Sequence, residues 1–193
     1  MTASQDLQVP LFPLNTVIFP GGVLALRIFE PRYLRMVSEC MRNEAVFAIA
    51  LIRKGEEAGE AAKSYNVGTL VRIVDFSQEK DGLLSIVVKA ENRFELKDVE
   101  VEHDQLIRAK VRLLPDVETQ GLPSRHADLA KLLKSLREQL GGNYARYPVD
   151  YDNAVEVSHR LMEMLALPVT RKQTYLERPD VGKELNSLAQ FVS

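Results

Sequence analysis

Residues Leu11 to Met36 read LFPLNTVIFPGGVLALRIFEPRYLRM. Pro10, Pro13 and Pro20 punctuate short apolar runs, and Pro20-Gly21-Gly22 supplies a turn, with φ restricted at the proline and free at the glycine after it. Val23 to Phe29 then alternates as a strand does: Leu24, Leu26 and Ile28 share one face while Arg27 takes the other. Glu30 stands at the switch to a helix. Pro31 suits the first helical position, where the N–H it lacks would have no intrahelical partner, and Tyr33, Leu34, Val37 and Met41 follow at helical spacing. The stretch predicts a β-turn-β unit running straight into a helix.

Working outward, β-type alternation dominates as far as a division near Pro115 to Pro123. Val46 to Ile52 is an unbroken apolar run, as in a strand buried on both faces, and Arg53 to Asn66 is a charged, Ala/Gly-rich loop. Thr69 to Phe76 and Leu83 to Lys89 flank Asp81-Gly82, a strong hairpin signal. Arg93 to Leu96 and Leu106 to Leu114 complete the set; in the last, Ile107, Ala109, Val111 and Leu113 alternate with Arg108, Lys110 and Arg112. So many strands would leave unpaired edges unless the sheet closes, which predicts a closed or partly closed barrel.

Beyond the division the period becomes helical. Ser124 is placed to cap a helix with a Leu129, Leu132, Leu133, Leu136, Leu140 stripe, ended by Gly141-Gly142. Asp152 is placed to begin a second, with Val157, Leu161, Met164 and Leu165 as its stripe and Leu167-Pro168 at its close. Thr170 with Gln173 forms a capping box for a short third, and Val181, Leu185, Leu188 and Val192 define a fourth. The fold class is α+β: a β lobe over residues 1–117, then a helical bundle over residues 118–193.

Composition narrows the function. Among 193 residues, 25 basic and 27 acidic side chains nearly cancel, so no net field draws nucleic acid or an anionic membrane. The single Cys40 excludes an intramolecular disulfide, no apolar run is long enough for a membrane span, and Met1 to Gln8 lacks the basic and apolar regions of a secretory signal. A cytoplasmic protein is the expectation.

The opening stretch resembles the start of the N-terminal, substrate-recognising domain of the Lon ATP-dependent protease family. Pro13-Leu14-Asn15-Thr16, Phe19-Pro20-Gly21 and Leu26-Arg27-Ile28-Phe29-Glu30-Pro31-Arg32-Tyr33 stand in that family's order and spacing. Val67-Gly68-Thr69-Leu70, Asp81-Gly82 and Arg93-Phe94 are similar to its later strands, and Leu167-Pro168, Lys172-Gln173, Leu176-Glu177 and Asp180 to its helical half. Two positions depart from the pattern: Ala90 replaces a usual glycine, and Glu184-Leu185 replaces a usual Arg-Leu. The resemblance implies a PUA-like β-barrel lobe followed by a helical bundle, together forming one recognition domain for unfolded or extended protein segments, with a protease or chaperone as a further partner and no cofactor. Full Lon proteases continue past this point into ATPase and Ser-Lys protease modules. No P-loop is present: the Gly182-Lys183 pair runs into Glu184, whose carboxylate would repel phosphate. A non-catalytic binding module is therefore expected, with no catalytic and no metal residues.

Two other classes compete. Arg108, Lys110 and Arg112 form a basic row that a nucleic-acid-binding PUA-like protein could use, but no aromatic interleaves with it for base stacking, which disfavours nucleic acid and favours an ordinary solvated face. Cys40 could serve a small cysteine hydrolase with His159 as base, against the simpler expectation of a small core residue beside Met36 and Met41. His103, His126 and His159 lack metal-ligand spacing and are expected to face solvent. Arg27, Glu30 and Arg32 form a charge cluster at the strand-to-helix switch. The substrate-binding candidates are Phe19, Phe29, Arg32 and Tyr33 near a cleft between the lobes, and Tyr144, Arg146 and Tyr147, which with Tyr151 bunch between the first two long helices.

Overall fold

Strand β1 (Leu7–Leu14) pairs antiparallel with β7 (Ile107–Leu113) along one edge and parallel with β3 (Phe47–Lys54) along the other. From β7 the ladder passes to β6 (Leu84–Val101), from β6 to β5 (Val67–Gln78), and from β5 back to β3. The pairings thus return to β1 as a closed ring. Two strands lie outside it: β2 (Val23–Ile28), paired with the first part of β6, and the two-residue β4 (Lys63–Ser64), paired with β3. This computed structural model describes residues 6–192. Met1 to Gln5, most of the stretch read for a signal, and Ser193 at the end of the expected bundle lie outside the described residues.

Local chemistry accounts for most elements, and tertiary contacts correct the rest. The Asp81-Gly82 hairpin forms, with Gly82 at φ 84°. The two strands expected at Leu83 to Lys89 and Arg93 to Leu96 are instead one, β6, of 18 residues. Register shifts in its ladders with β5 and β7 let it bend without ending. Ala90 sits inside that bend, exchanging backbone hydrogen bonds with Gly21 and Gly22 at 2.9 and 2.8 Å. The Arg53 to Asn66 loop is interrupted by β4.

Helix α1 (Pro31–Arg42) starts at Glu30 in extended conformation and buries Arg32, Tyr33, Met36, Val37 and Cys40. Leu34 and Met41, expected in the apolar stripe, are 41% exposed, because the buried stripe runs through positions 33, 36, 37 and 40. This face closes a core cluster with Phe12, Ile28, Phe47, Ile86 and Val88.

A 3-10 turn (Ser124–His126) leads into α2 (Ala127–Leu140), followed by α3 (Gly142–Arg146), α4 (Ala154–Met164), α5 (Val169–Glu177) and α6 (Val181–Phe191). Three expected caps differ. Ser124 caps nothing; Asn153, not Asp152, accepts the Val155 and Glu156 amides of α4; and α5 begins at Pro168 without a side-chain cap, because Gln173 is buried and donates to the Val67 carbonyl at 2.9 Å. The unforeseen α3 occupies the tyrosine-rich loop. Leu129, Leu133, Val157, Leu161, Leu185 and Leu188 form the helical core, while Leu140 and Val192 are exposed. That core also takes in Val17, Phe19 and Leu51 from the sheet side. His126 and His159 are buried rather than solvent-facing, and only His103 of the three is exposed. Among the described residues no helix is long and apolar enough to cross a membrane.

Candidate functional site

The turn before β2 fastens the sheet to α4. Gly21 takes φ 79°, and a Cβ on Gly22 would lie 2.2 Å from Glu163 Oε1 and 2.8 Å from the Phe19 carbonyl oxygen, so only glycine allows this approach. Glu163 Oε1 accepts the Phe19 N–H at 2.9 Å, and Arg160 Nη2 donates to the Pro20 carbonyl at 2.8 Å. The Phe19 ring stacks on His159 with centroids 4.9 Å apart. Burial there, reinforced by the neighbouring Arg160 and Arg93 charges, pushes the His159 pKa down to about 3, so the imidazole is neutral. Phe19 is thus a core residue at the junction.

Because β1 pairs with β7 and β3 while β2 pairs with β6, the two strands do not meet. Two cavities lie in line along β2. The first, about 170 Å³, has Phe12 and Leu14 on the β1 side, Ala25, Leu26 and Arg27 on the β2 side, and Phe29, Glu30, Tyr33 and Glu57 at its end. The second, about 50 Å³, lies between Thr16, Val17 and Ile18 on one side and Val23 and Leu24 on the other, with Tyr144 and Glu163 at its end.

Of the predicted residues, Phe29 and Tyr33 line the first cavity, whereas Arg32 does not. The Phe29 ring is 60% exposed. Tyr33 is buried and stacked on Phe12 with centroids 3.9 Å apart, and burial pushes its phenol up to about 12. Arg32, also buried, pairs with Glu30 at 3.0 Å, donates to the Gln105 carbonyl at 3.0 Å and lies 4.6 Å above the Tyr33 ring. Arg27 leaves the expected charge cluster to pair with Asp81. Tyr144 reaches the second cavity, at the other end of β2. Tyr147 is half-buried, and Arg137 holds α3 in place by donating to the Tyr144 carbonyl at 2.9 Å, to the Tyr147 carbonyl and to the Tyr151 hydroxyl. Arg146 turns away to Asp75 on β5 at 2.6 Å. Glu57, Arg137, Arg160 and Glu163 escaped sequence reasoning. Nothing in their local spacing marks them, since each acts on residues distant in the chain.

The competing sites look different. Cys40 is 3% exposed, and burial with the nearby Glu39 charge raises its thiol to about 11, which removes the thiolate a hydrolase would need. It lines a cavity of about 370 Å³ with Met41, Arg72 and Phe76, where no histidine is present. In the basic row, Arg108 pairs with Glu39 at 2.6 Å and Glu102 at 2.9 Å, and Lys110 and Arg112 both reach Asp6. Lys183 is held by Asp180 at 3.0 Å at the start of α6. Among the described residues no cluster of His, Cys, Asp and Glu is arranged to hold a metal ion.

The chain is mixed α+β, with a sheet-rich first part and helices after it. The family model for the ATP-dependent protease La (LON) substrate-binding domain matches residues 8–193, and the chain belongs to that family. It is 24% identical over 193 residues to a Lon protease of Anaeromyxobacter dehalogenans, covering 96% of this chain and 23% of that protein. With Lon protease 2 of Syntrophobacter fumaroxidans it shares 28% identity over 195 residues, covering 95% and 24%. The chain thus spans about a quarter of the length of these curated relatives. Among solved structures, a Lon N-terminal domain protein from Xanthomonas campestris superposes with a TM-score of 0.75 at 30% identity, covering 95% of this chain and 98% of that one. The N-terminal domain of Mycobacterium avium complex Lon protease shares the fold, with a TM-score of 0.61 at 19% identity and coverage of 95% and 96%.

Proposed function

We propose that the chain is a non-catalytic module that binds extended apolar segments of other proteins and serves a proteolytic or chaperone partner in the cytoplasm as an adaptor or regulator. One observation carries this: the exposed Phe29 ring borders a cavity that has the Phe12–Tyr33 stack as one wall, an aromatic anchor beside a pocket with both apolar and charged lining. Membership of a substrate-binding family supports it. We read the strand ring as a PUA-like barrel lobe (residues 1–117) and the helices as a second lobe (residues 118–193), with the groove of the two β2 cavities beside their junction.

The test is titration of the protein with a permanently unfolded, reduced and alkylated protein, with the same protein in its folded form, and with single-stranded RNA. Saturable micromolar binding of the unfolded form alone is expected, with no ATP turnover. RNA binding without binding of the unfolded protein overturns the proposal.

A further inference from the structure

The two aromatic clusters, predicted separately, lie at opposite ends of one strand. Tyr144 stands at Val23 and Leu24, and Phe29 with Tyr33 stands at Ala25 to Arg27. Among the described residues β2 pairs only with β6. Its far edge therefore has no strand partner; α3 lies against β2, with Tyr144 at Val23 and Leu24, and Ala25 to Arg27 are the part of β2 that lines the first cavity.

One carboxylate in the groove lacks an ion-pair partner among the described residues. Four ionisable carboxylate or guanidinium side chains line the two cavities: Arg27, Glu30, Glu57 and Glu163. Arg27 is committed to Asp81, Glu30 to Arg32 and Glu163 to Arg160. Glu57 accepts the Asn15 N–H at 2.5 Å but has no cationic partner among the described residues.

We infer that the occupant of this groove is an extended segment added as a strand to the free edge of β2, with an apolar side chain in the Phe12–Tyr33 cavity and a lysine or arginine one or two positions away against Glu57. This rests on the protein-binding function proposed above and specifies its ligand. Backbone hydrogen bonds to β2 are indifferent to sequence, the 170 Å³ cavity is large enough for one aromatic or aliphatic side chain, and the uncompensated carboxylate supplies a charge preference.

The test uses heptapeptides with a shared apolar core and Lys, Gln or Glu at the flanking position, plus two versions of the Lys peptide N-methylated at alternate amides. Binding is measured by fluorescence anisotropy on wild type, Glu57→Gln and Glu57→Lys. On wild type the order expected is Lys, Gln, Glu, with about threefold per step, as for a partly exposed ion pair. The preference should vanish in Glu57→Gln and reverse in Glu57→Lys. N-methylation of one alternate set should weaken binding about tenfold while the other set is tolerated, because only alternate amides face the neighbouring strand.

If unfolded protein and all peptides bind equally well, with neither charge preference nor N-methyl effect, the inference is overturned while the protein-binding function stands. If neither binds, both fall. A dimer seen by sedimentation that dissociates in Glu57→Lys, with no peptide binding, would give the groove to a second copy and also overturn the inference.

Discussion

Glu163 on α4 accepts the Phe19 N–H at 2.9 Å, and Arg160, one turn earlier, donates to the Pro20 carbonyl at 2.8 Å. One helix thereby reads the backbone on both sides of the Phe19–Pro20 bond and sets where β2 begins. Gly22 makes this contact possible. Gly22→Ala drives a methyl group into Glu163 and the Phe19 carbonyl, and is expected to cost about 2 kcal/mol. For a chain of this size that is a fall of about 4–8 °C in Tm, measured by calorimetry. An unchanged Tm would show that the turn is not held from α4.

Glu184 gives the stability a pH dependence of unusual sign. The residue is 0% exposed, and burial raises its carboxyl to about 7, against the Asp180 N–H, Ser158 and the Arg93 charge, which favour the ionised form. The folded state therefore holds this proton more tightly than the unfolded chain. Its contribution is full below the ordinary glutamate pKa of about 4.5, falls as pH rises from there to about 7, and is flat beyond. His159, lowered to about 3, acts in the opposite direction between about 3 and 6.5, so the wild-type curve alone does not isolate Glu184. Comparison with Glu184→Gln does. The variant should gain on the order of 2 kcal/mol over wild type at pH 7.5 and little at pH 4.5. A difference that does not vary with pH would place the Glu184 proton in the same equilibrium folded and unfolded.

Arg93 joins β6 to the segment before the helices and to α5. It is buried and donates to the Pro115 and Leu176 carbonyls, each at 2.8 Å. Arg93→Ala leaves both acceptors without their donor, at a cost of about 2–3 kcal/mol. The helices should then open before the ring, and limited proteolysis should cut sooner between Glu118 and Arg125. In wild type the first cuts are expected there or at Arg53 to Lys63, since short helices depend on tertiary burial. First cuts within Leu84 to Lys89 would reverse the order of stability.

Cys40 is expected to resist a thiol reagent at pH 8 in the native state and to react at once in denaturant. Its pKa of about 11 leaves roughly one thiol in a thousand ionised, and its 3% exposure blocks access. Fast native labelling would reopen the nucleophile.

The strand-to-helix switch at Glu30-Pro31 was legible because its cues are local: a proline at the first helical position and periods of two and then three to four. The same holds for the Asp81-Gly82 hairpin. Ser124, Asp152 and Thr170 misled because a capping residue type is common, and only the surrounding contacts decide which one caps; Gln173 was drawn to the Val67 carbonyl instead. The burial of His159 depends on Phe19, 140 positions away, and the length of β6 depends on bulges in ladders with two partners. The groove was least legible. It exists because β1 and β2, close in sequence, pair with different strands, and no local period encodes that choice.

Phe29 and Tyr33 separate anchoring from folding. Phe29 is 60% exposed, so Phe29→Ala should leave Tm within about 1 °C while weakening binding of an unfolded protein about tenfold or more, as at an interface hot spot. Tyr33 is buried against Phe12, so Tyr33→Ala removes a packed ring and should lower stability by about 3 kcal/mol whatever it does to binding. Tyr33→Phe keeps the ring and reports on the hydroxyl alone. Tyr147→Ala samples the other end of β2, where half-burial predicts a smaller loss of affinity and a modest fall in Tm. Lys110→Glu is the control: it faces solvent, reaches Asp6 at 3.4 Å, and should change neither property appreciably at moderate salt. Loss of affinity in Lys110→Glu with none in Phe29→Ala would move binding from the groove to the basic row of β7.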